Sequence, residues 1–128
     1  MSRLLIVDDD VRVTNPLLVL FIQTGRYEVE ILNDSTLVLP LLARARFDAL
    51  LLDMDMPSLS GVDILRHLRE AGDYTPVVVL TGVGDAEPAV QAMKLGAFDY
   101  LIKPADEDAL VAVIDAAVAS RTRRNGAA

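Results

Sequence analysis

The chain of 128 residues contains no cysteine and no tryptophan, and only 5% of its residues are aromatic. Without cysteine it can form neither a disulfide framework nor a thiolate zinc site. No apolar run approaches the roughly 18 residues needed to cross a membrane. The stretch before the first acidic residues is too short for a signal peptide. We therefore expect a cytoplasmic protein with no membrane segment.

Basic residues are also scarce, since 12 lysines and arginines face 19 aspartates and glutamates, for a net charge of −7. A nucleic-acid-binding domain normally carries a basic surface, so we expect no direct nucleic acid binding. The basic cluster Arg121, Arg123 and Arg124 is interpreted as a solvated linker rather than a contact arm. Apolar residues, by contrast, are abundant at 52%, which predicts one well-filled globular domain.

Short apolar runs alternate with longer amphipathic segments along the chain. The runs predict strands at residues 4–7, 27–32, 49–52, 77–80 and 100–102. Three of them, LLIV, ALLL and VVVL, are continuously apolar, which is typical of parallel strands covered by helices on both faces. The second, YEVEIL, alternates apolar and acidic residues and suits an edge strand.

The amphipathic segments predict helices at residues 16–24, 35–45, 62–70, 86–95 and 106–120. Five consecutive βα units predict an α/β fold, a doubly wound parallel sheet of five strands. Two prolines conflict with the first two helices, because proline removes a backbone hydrogen bond and clashes with the preceding turn. We expect the first helix to begin late or to be kinked at Pro16, and the second to be kinked at Pro40.

Polar or charged residues follow four of the five predicted strands: Asp8 and Asp9, then Asp53, Thr81 and Lys103. The carboxyl ends of parallel strands meet at one edge of a sheet, so these side chains are expected to converge. Three carboxylates suit Mg²⁺ or Mn²⁺, and a carboxylate can also attack phosphorus. A lysine and a divalent ion can then neutralise charge on phosphoryl oxygens. Asp10 is interpreted as a helix N-cap.

Four motifs resemble the receiver domain of bacterial two-component response regulators, such as the chemotaxis response regulator: the acidic pair after the first strand, LLLDMDMPSLSG, VVVLTG and GAFDYLIKP. The resemblance covers residues 3–121, and we expect a receiver domain at 1–121 followed by a tail or linker at 122–128. It implies the flavodoxin-like strand order 2-1-3-4-5 with five helices. No segment resembling an output domain follows, so we expect a stand-alone relay or the receiver part of a longer regulator.

The resemblance also implies a function, the transfer of a phosphoryl group from a sensor histidine kinase or phosphotransfer protein to Asp53. Asp8, Asp9 and Asp53 would hold Mg²⁺ or Mn²⁺ together with the main-chain carbonyl of Asp55. Asp9 would be a direct ligand, and Asp8 would act through water. Lys103 would pair with Asp53 and later with the phosphoryl group. The chain would catalyse only its own phosphorylation and dephosphorylation, so we do not expect an enzyme with an outside substrate.

A switch is implied as well, in which Thr81 moves inward after phosphorylation and the ring of Tyr100 follows. That movement would repack the surface of the fourth helix, the fifth strand and the fifth helix. We also expect a homodimer through this surface, although the alanines of the fifth helix, at 112, 116 and 119, can equally reflect helix propensity. The resemblance also implies a cis Lys103–Pro104 bond, a conformation that only X–Pro bonds adopt at low cost.

Other interpretations are weaker or remain open. DMD at 53–55 is similar to the motif of haloacid-dehalogenase-type phosphatases, but their nucleophile follows the first strand. A flavodoxin-like FMN site is rejected, because the acids after the first strand would repel its phosphate. A pseudo-receiver, used only for protein contacts, would survive if phosphorylation fails. Asp55 adds an acid beside the site that could change the phosphoryl lifetime in either direction. His67 is interpreted as a surface residue.

Overall fold

A computed structural model describes residues 1–82, 84 and 86–127, with side chains described as far as residue 121. The strands of this part are β1 (Ser2–Val7), β2 (Tyr27–Leu32), β3 (Ala49–Asp53), β4 (Val77–Thr81) and β5 (Asp99–Ile102). The α-helices are α1 (Val11–Gln23), α2 (Val38–Leu42), α3 (Gly61–Glu70), α4 (Ala86–Lys94) and α5 (Glu107–Ala127). A 3-10 helix (Ser35–Leu37) precedes α2.

The strands form one sheet in the order β2-β1-β3-β4-β5, and every neighbouring pair is parallel. This confirms the predicted fold class and strand order, and it confirms YEVEIL as an edge strand. The continuously apolar runs lie in the three central strands, where β3 and β4 are buried along their whole length. Burial of both faces is the reason that these strands show no alternation.

Helices cover both faces of the sheet, and two apolar clusters result. Leu4 and Ile6 of β1 point toward α1 and α5, in a cluster with Phe21 and Ile114. The intervening residues Leu5 and Val7 point to the opposite face, in a cluster with side chains of α2, α3 and α4. Alternate residues of a strand face opposite sides, and each fully buried leucine or isoleucine contributes about 1.5–3 kcal/mol.

Of the two alternatives for the first helix, a late start or a kink at Pro16, the late start is wrong. α1 begins at Val11, and the Asp10 carboxylate caps it by accepting a hydrogen bond of 2.9 Å from the Arg12 backbone N–H. Pro16 lies inside the helix. Its ring removes the one helical hydrogen bond to the carbonyl of Arg12, in the first turn of the helix. The N-cap interpretation of Asp10 is confirmed.

The single kinked helix expected over residues 35–45 is replaced by the 3-10 helix and the short α2, which ends at Leu42. Pro40 falls in the first turn of α2. The backbone N–H at such a position has no intrahelical partner, so proline costs little there. The expected kink at Pro40 is therefore replaced by a change from 3-10 helix to α-helix at Val38.

The interpretation of Arg121 as part of a solvated linker is also wrong. α5 continues to Ala127, past the expected domain boundary at residue 121. Arg121 donates hydrogen bonds to the Phe47 carbonyl (2.7 Å) and the Thr75 hydroxyl (2.8 Å). The side chains of Arg123 and Arg124 lie outside the described residues. In the described part of the chain, no helix combines the length and apolar character needed to cross a membrane.

Candidate functional site

The predicted site residues meet at the carboxyl edge of the sheet. Lys103, just after β5, donates to Asp53 Oδ1 at 2.8 Å and to Asp8 Oδ2 at 3.0 Å. Asp53 ends β3 and Asp8 follows β1, and both residues are at least 97% buried. One lysine therefore neutralises part of the charge of two buried carboxylates that the chain brings together from separate strands.

The buried charges shift the ionisation of this cluster. Burial raises the pKa of Asp53, and the charge of Asp8 adds to that effect, while the hydrogen bond from Lys103 opposes it. Burial alone would lower the pKa of Lys103, but its hydrogen bonds to Asp53 and Asp8 outweigh this and raise it. The lysine therefore stays charged at neutral pH, and the excess charge of the site is negative, which favours an additional cation.

Asp8, Asp9 and Asp53 place one carboxylate oxygen each within 4.8 Å of one another. Asp9 is exposed, whereas the other two are buried, so the cluster opens toward solvent on the Asp9 side. Carboxylate oxygens are hard ligands that suit a small divalent ion. The arrangement therefore fits the Mg²⁺ or Mn²⁺ that the sequence predicted. Asp55 is exposed.

Gly61 is a residue of this site that the sequence reasoning missed. A Cβ atom there would lie 2.6 Å from the Asp53 carbonyl oxygen and 2.9 Å from Met54 Cα. Both contacts are with backbone, which cannot turn aside like a flexible side chain. Only glycine lets the start of α3 pack against the end of β3. The glycine that closes LLLDMDMPSLSG was the available signal, because a glycine often marks a position where another backbone approaches closely.

Asn33 and Ser35, which follow β2, were also missed. Asn33 Nδ2 donates to the Asp8 carbonyl at 2.8 Å. The hydroxyl of Ser35, which is 96% buried, donates to the Pro57 carbonyl at 2.9 Å. No periodicity or spacing marks either residue, because polar residues are ordinary in the loop after a strand.

The residues of the expected switch lie beside a groove between α4 and β5. Thr81 is buried, and its hydroxyl donates to the Gly82 carbonyl at 3.1 Å. Tyr100 is 41% exposed. Both residues line a cavity of about 510 Å³ together with apolar side chains that include Val90, Met93 and Ile102. Tyr100 thus stands at the rim of an apolar groove that Thr81 also lines.

Two further expectations are tested by the geometry. The Lys103–Pro104 bond is cis, as expected. His67 is exposed on α3, which confirms its interpretation as a surface residue. In α5, Leu110 and Ile114 are buried against the sheet, and Asp115 bonds to Arg26 and Tyr27.

Known proteins provide an independent comparison. The family model of the response regulator receiver domain matches residues 4–115. Regulatory protein AtoC of Escherichia coli is 37% identical over 117 residues, which cover 91% of this chain and 25% of AtoC. Response regulator MprA of Mycobacterium leprae is 40% identical over 126 residues, which cover 98% of this chain and 54% of MprA. The chain thus spans between a quarter and about half the length of these relatives.

The fold agrees with a solved structure of the same family. The crystal structure of a response regulator receiver domain protein from Clostridium thermocellum superposes with a TM-score of 0.87 at 33% identity, over 95% of this chain and 98% of that one. The family match runs from residue 4, within β1, to residue 115, within α5, and it includes each predicted site residue. The chain therefore belongs to the response regulator receiver domain family of two-component signalling proteins.

Proposed function

We propose that Asp53 is the phosphoacceptor of a signalling switch and receives a phosphoryl group from a sensor histidine kinase or a phosphotransfer protein. The observation that carries this proposal is the shared contact of Lys103 with Asp53 (2.8 Å) and Asp8 (3.0 Å) beside the exposed Asp9. A structural ion pair needs one acid and one base. A second buried acid and a third beside it are costly unless they bind a cation.

In the reaction, a carboxylate oxygen of Asp53 attacks the phosphorus of the phosphohistidine, forming an O–P bond as the P–N bond breaks. The imidazole leaves with the bonding electrons and takes a proton from solvent. Lys103 already lies within hydrogen-bond distance of the attacking group, and its ammonium can stabilise the charge on the transferred phosphoryl oxygens. The product is an acyl phosphate on the chain itself, so no outside substrate is turned over.

Asp8, Asp9, Asp53 and the Asp55 carbonyl would hold the Mg²⁺ or Mn²⁺ ion, with Asp9 as a direct ligand and Asp8 acting through water. When bound, such an ion draws negative charge from the phosphoryl oxygens and holds them beside Asp53. The charge of the cluster supports this assignment, because it holds three carboxylates and Lys103 is paired with only two of them, Asp8 and Asp53.

Thr81 and Tyr100 form the proposed switch, and the surface of α4, β5 and α5 is its output. After phosphorylation the Thr81 hydroxyl turns to the phosphoryl group, and the Tyr100 ring moves into the cavity between α4 and β5. The apolar side chains Val90, Met93 and Ile102 are 41–51% exposed on this surface. A homodimer would cover them, so phosphorylation would control dimerisation through the same surface. Residues 1–121 would form the receiver and 122–128 a tail.

The proposed phosphorylation would take place in the cytoplasm, because the phosphohistidine of a sensor kinase is formed there from ATP. The chain contacts proteins rather than nucleic acid or membrane, in keeping with its net charge of −7. The signal leaves through a protein contact, whether with an output domain, a partner or a second copy. The absence of a helix able to span a membrane among the described residues is compatible with this.

The experiment is intact-protein mass spectrometry after incubation with acetyl phosphate and Mg²⁺. We expect the mass of one added phosphoryl group in the wild type, no gain in Asp53→Asn, and no gain after removal of metal by a chelator. Asp108→Asn, which removes an exposed acid of α5, is the matched control and should gain the same mass as the wild type. No gain in the wild type, together with no thermal stabilisation by beryllofluoride, would leave a pseudo-receiver as the answer.

A further inference from the structure

The connection between β2 and α2 contacts both of the loops that carry the acids. Asn33, directly after β2, donates from Nδ2 to the Asp8 carbonyl (2.8 Å) and to the Thr14 hydroxyl (3.1 Å). Thr14 is fully buried in the first turns of α1. One amide group therefore joins the end of β2 to the β1–α1 loop and to the helix behind it.

The Asp8 carbonyl belongs to the peptide unit that leads to Asp9. This unit is planar, so the direction of the carbonyl fixes the Asp9 N–H and the position from which the Asp9 side chain starts. The rest of Asp8 is held by other groups, since its N–H donates to the Leu32 carbonyl and its carboxylate accepts from Lys103 and from the Asp10 N–H. Within the described residues, the Asp9 carboxylate itself forms no hydrogen bond or ion pair. Its placement therefore depends on the two peptide units that flank Asp9, of which Asn33 orients the first and the Asp8 carboxylate holds the second.

Ser35 has the same relation to the β3–α3 loop. Its hydroxyl donates to the Pro57 carbonyl (2.9 Å) and accepts from the Leu59 N–H (3.2 Å). These two groups stand on either side of Ser58, which has a positive φ of 70°. Asp55, whose carbonyl would face the cation, comes two residues before Pro57. Ser35 therefore fixes the turn that follows the third expected ligand.

The segment that joins Asn33 to Ser35 is held by its own hydrogen bonds. Asp34 lies between them, and its carboxylate accepts from the Thr36 N–H (3.0 Å) and the Thr36 hydroxyl (2.7 Å), which caps the 3-10 helix. A short capped segment therefore holds one side chain toward the β1–α1 loop and the other toward the β3–α3 loop. This segment therefore links the two acid-bearing loops to each other.

We propose that Asn33 and Ser35 are positioning residues that set the separation of the Asp8–Asp9 pair from the Asp55 carbonyl and thereby set the affinity for the divalent cation. This inference rests on the proposed function and deepens it. A small cation with a strict geometry binds tightly only where its ligands are already in place. Groups that orient metal ligands without touching the metal typically change affinity by about 10- to 100-fold when they are removed.

The test measures cation binding directly on the full chain, by calorimetric titration with Mg²⁺ and by electron paramagnetic resonance with Mn²⁺. Asn33→Leu keeps the approximate shape of the side chain without its donor, and Ser35→Ala removes the hydroxyl. We expect each to weaken binding by about 10-fold. Asn33 is exposed, so the Asn33→Leu variant carries the test even where Ser35→Ala fails to fold.

A second readout separates positioning from a general loss of structure. At saturating Mg²⁺, Asn33→Leu should be phosphorylated by acetyl phosphate to the wild-type extent, because Asp53 and Lys103 are unchanged. Thr75→Val is the matched control, since it removes a buried hydroxyl that bonds to Asp73 and Arg121 at the other edge of the sheet. It should lower stability and leave cation affinity unchanged.

The outcomes distinguish failure of the positioning role from failure of the proposed function. A wild-type chain that binds the cation and is phosphorylated, beside Asn33→Leu and Ser35→Ala variants with wild-type affinity, would overturn this inference and leave the proposed function standing. Weakened affinity in Thr75→Val to the same degree would also overturn it, because the effect would then follow stability. A wild-type chain that binds no divalent cation would overturn the proposed function together with the inference.

Discussion

Lys103 donates to Asp53 across the intervening strand β4, at 2.8 Å, and the same ammonium group contacts Asp8 at 3.0 Å. The side chains of both acids are at most 4% exposed, whereas that of Lys103 is 30% exposed. The lysine is therefore the only described cationic side chain within salt-bridge distance of either carboxylate. Its removal would leave two buried like charges next to one another.

We predict that Lys103→Met lowers the free energy of unfolding at neutral pH by about 2 kcal/mol. Breaking a fully buried pair costs roughly 3–5 kcal/mol, and the smaller figure reflects the partial exposure of Lys103. Urea unfolding without metal measures the change. Lys94→Met, which removes an exposed lysine of α4, is the control and should be nearly neutral. An unchanged free energy in Lys103→Met would show that the carboxylates are neutral without it.

The stability contributed by Asp53 depends on pH in a defined direction. Burial, with a further contribution from Asp8, raises its pKa above the ordinary value of 3.8. The contribution is therefore fully present below pH 3.8 and is lost as the pH rises through the raised value. Asp53→Asn cannot titrate, so its stability relative to the wild type should increase with pH across that window. Urea unfolding of both proteins at closely spaced pH values tests this, and a decreasing difference would contradict it.

Gly61→Ala should destabilise the domain by about 3 kcal/mol, at the upper end of the usual cost of overpacking, because the added methyl would meet the Asp53 carbonyl at 2.6 Å. It should also reduce phosphorylation, since the clash moves Asp53 itself. Gly72→Ala is the control: its φ is positive, but no atom lies within 4 Å of the added carbon. That variant should lose about 1 kcal/mol from backbone strain alone and keep full phosphorylation. Equal losses of phosphorylation in the two would contradict the close-approach argument.

Ser58→Gly should stabilise the domain by about 0.5 kcal/mol. Ser58 has a φ of 70°, a conformation that costs an L-residue about 1–2 kcal/mol. Glycine removes this strain, but the larger conformational entropy of its unfolded chain offsets about 0.5–1 kcal/mol of the gain. The residue is exposed, so no packing is lost. Ser58→Ala keeps the strained backbone and should show no gain. Thermal unfolding of the wild type and the two variants measures their relative stabilities. A gain in stability in Ser58→Ala equal to that in Ser58→Gly would rule out backbone strain as the cause.

The sheet and its acidic edge could be predicted because both leave a local pattern. Continuously apolar runs identified β3 and β4, and Asp53 and Lys103 each follow a strand directly. Asn33 and Ser35 could not be predicted, since a loop asparagine or serine has no period and its partners are distant in sequence. The start of α1 was missed because Pro16 was weighed as a helix breaker, whereas the helix is capped by Asp10 and continues through Pro16.

Arg121 binds the sheet at the end opposite the acidic site, where β3 and β4 begin. Its guanidinium donates to the carbonyl of Phe47, just before β3, and to the hydroxyl of Thr75, just before β4. Hydrogen bonds from a charged donor contribute about 1.5–3 kcal/mol, so Arg121→Ala should lower the free energy of unfolding by about 1.5 kcal/mol. Arg44→Ala, at an exposed arginine, should cost far less.

The same variant tests whether the two edges of the sheet are independent. Arg121 lies at the amino ends of β3 and β4, whereas Asp53 and Thr81 end the same strands at the site. Rigid central strands separate the two sets of contacts, so Arg121→Ala should keep wild-type Mg²⁺ affinity and phosphorylation despite its lower stability. Addition of Thr75→Val should cost less than the sum of the single changes, because both remove one shared bond. A loss of Mg²⁺ affinity in folded Arg121→Ala would mean that the position of α5 is coupled to the acidic edge through β3 and β4.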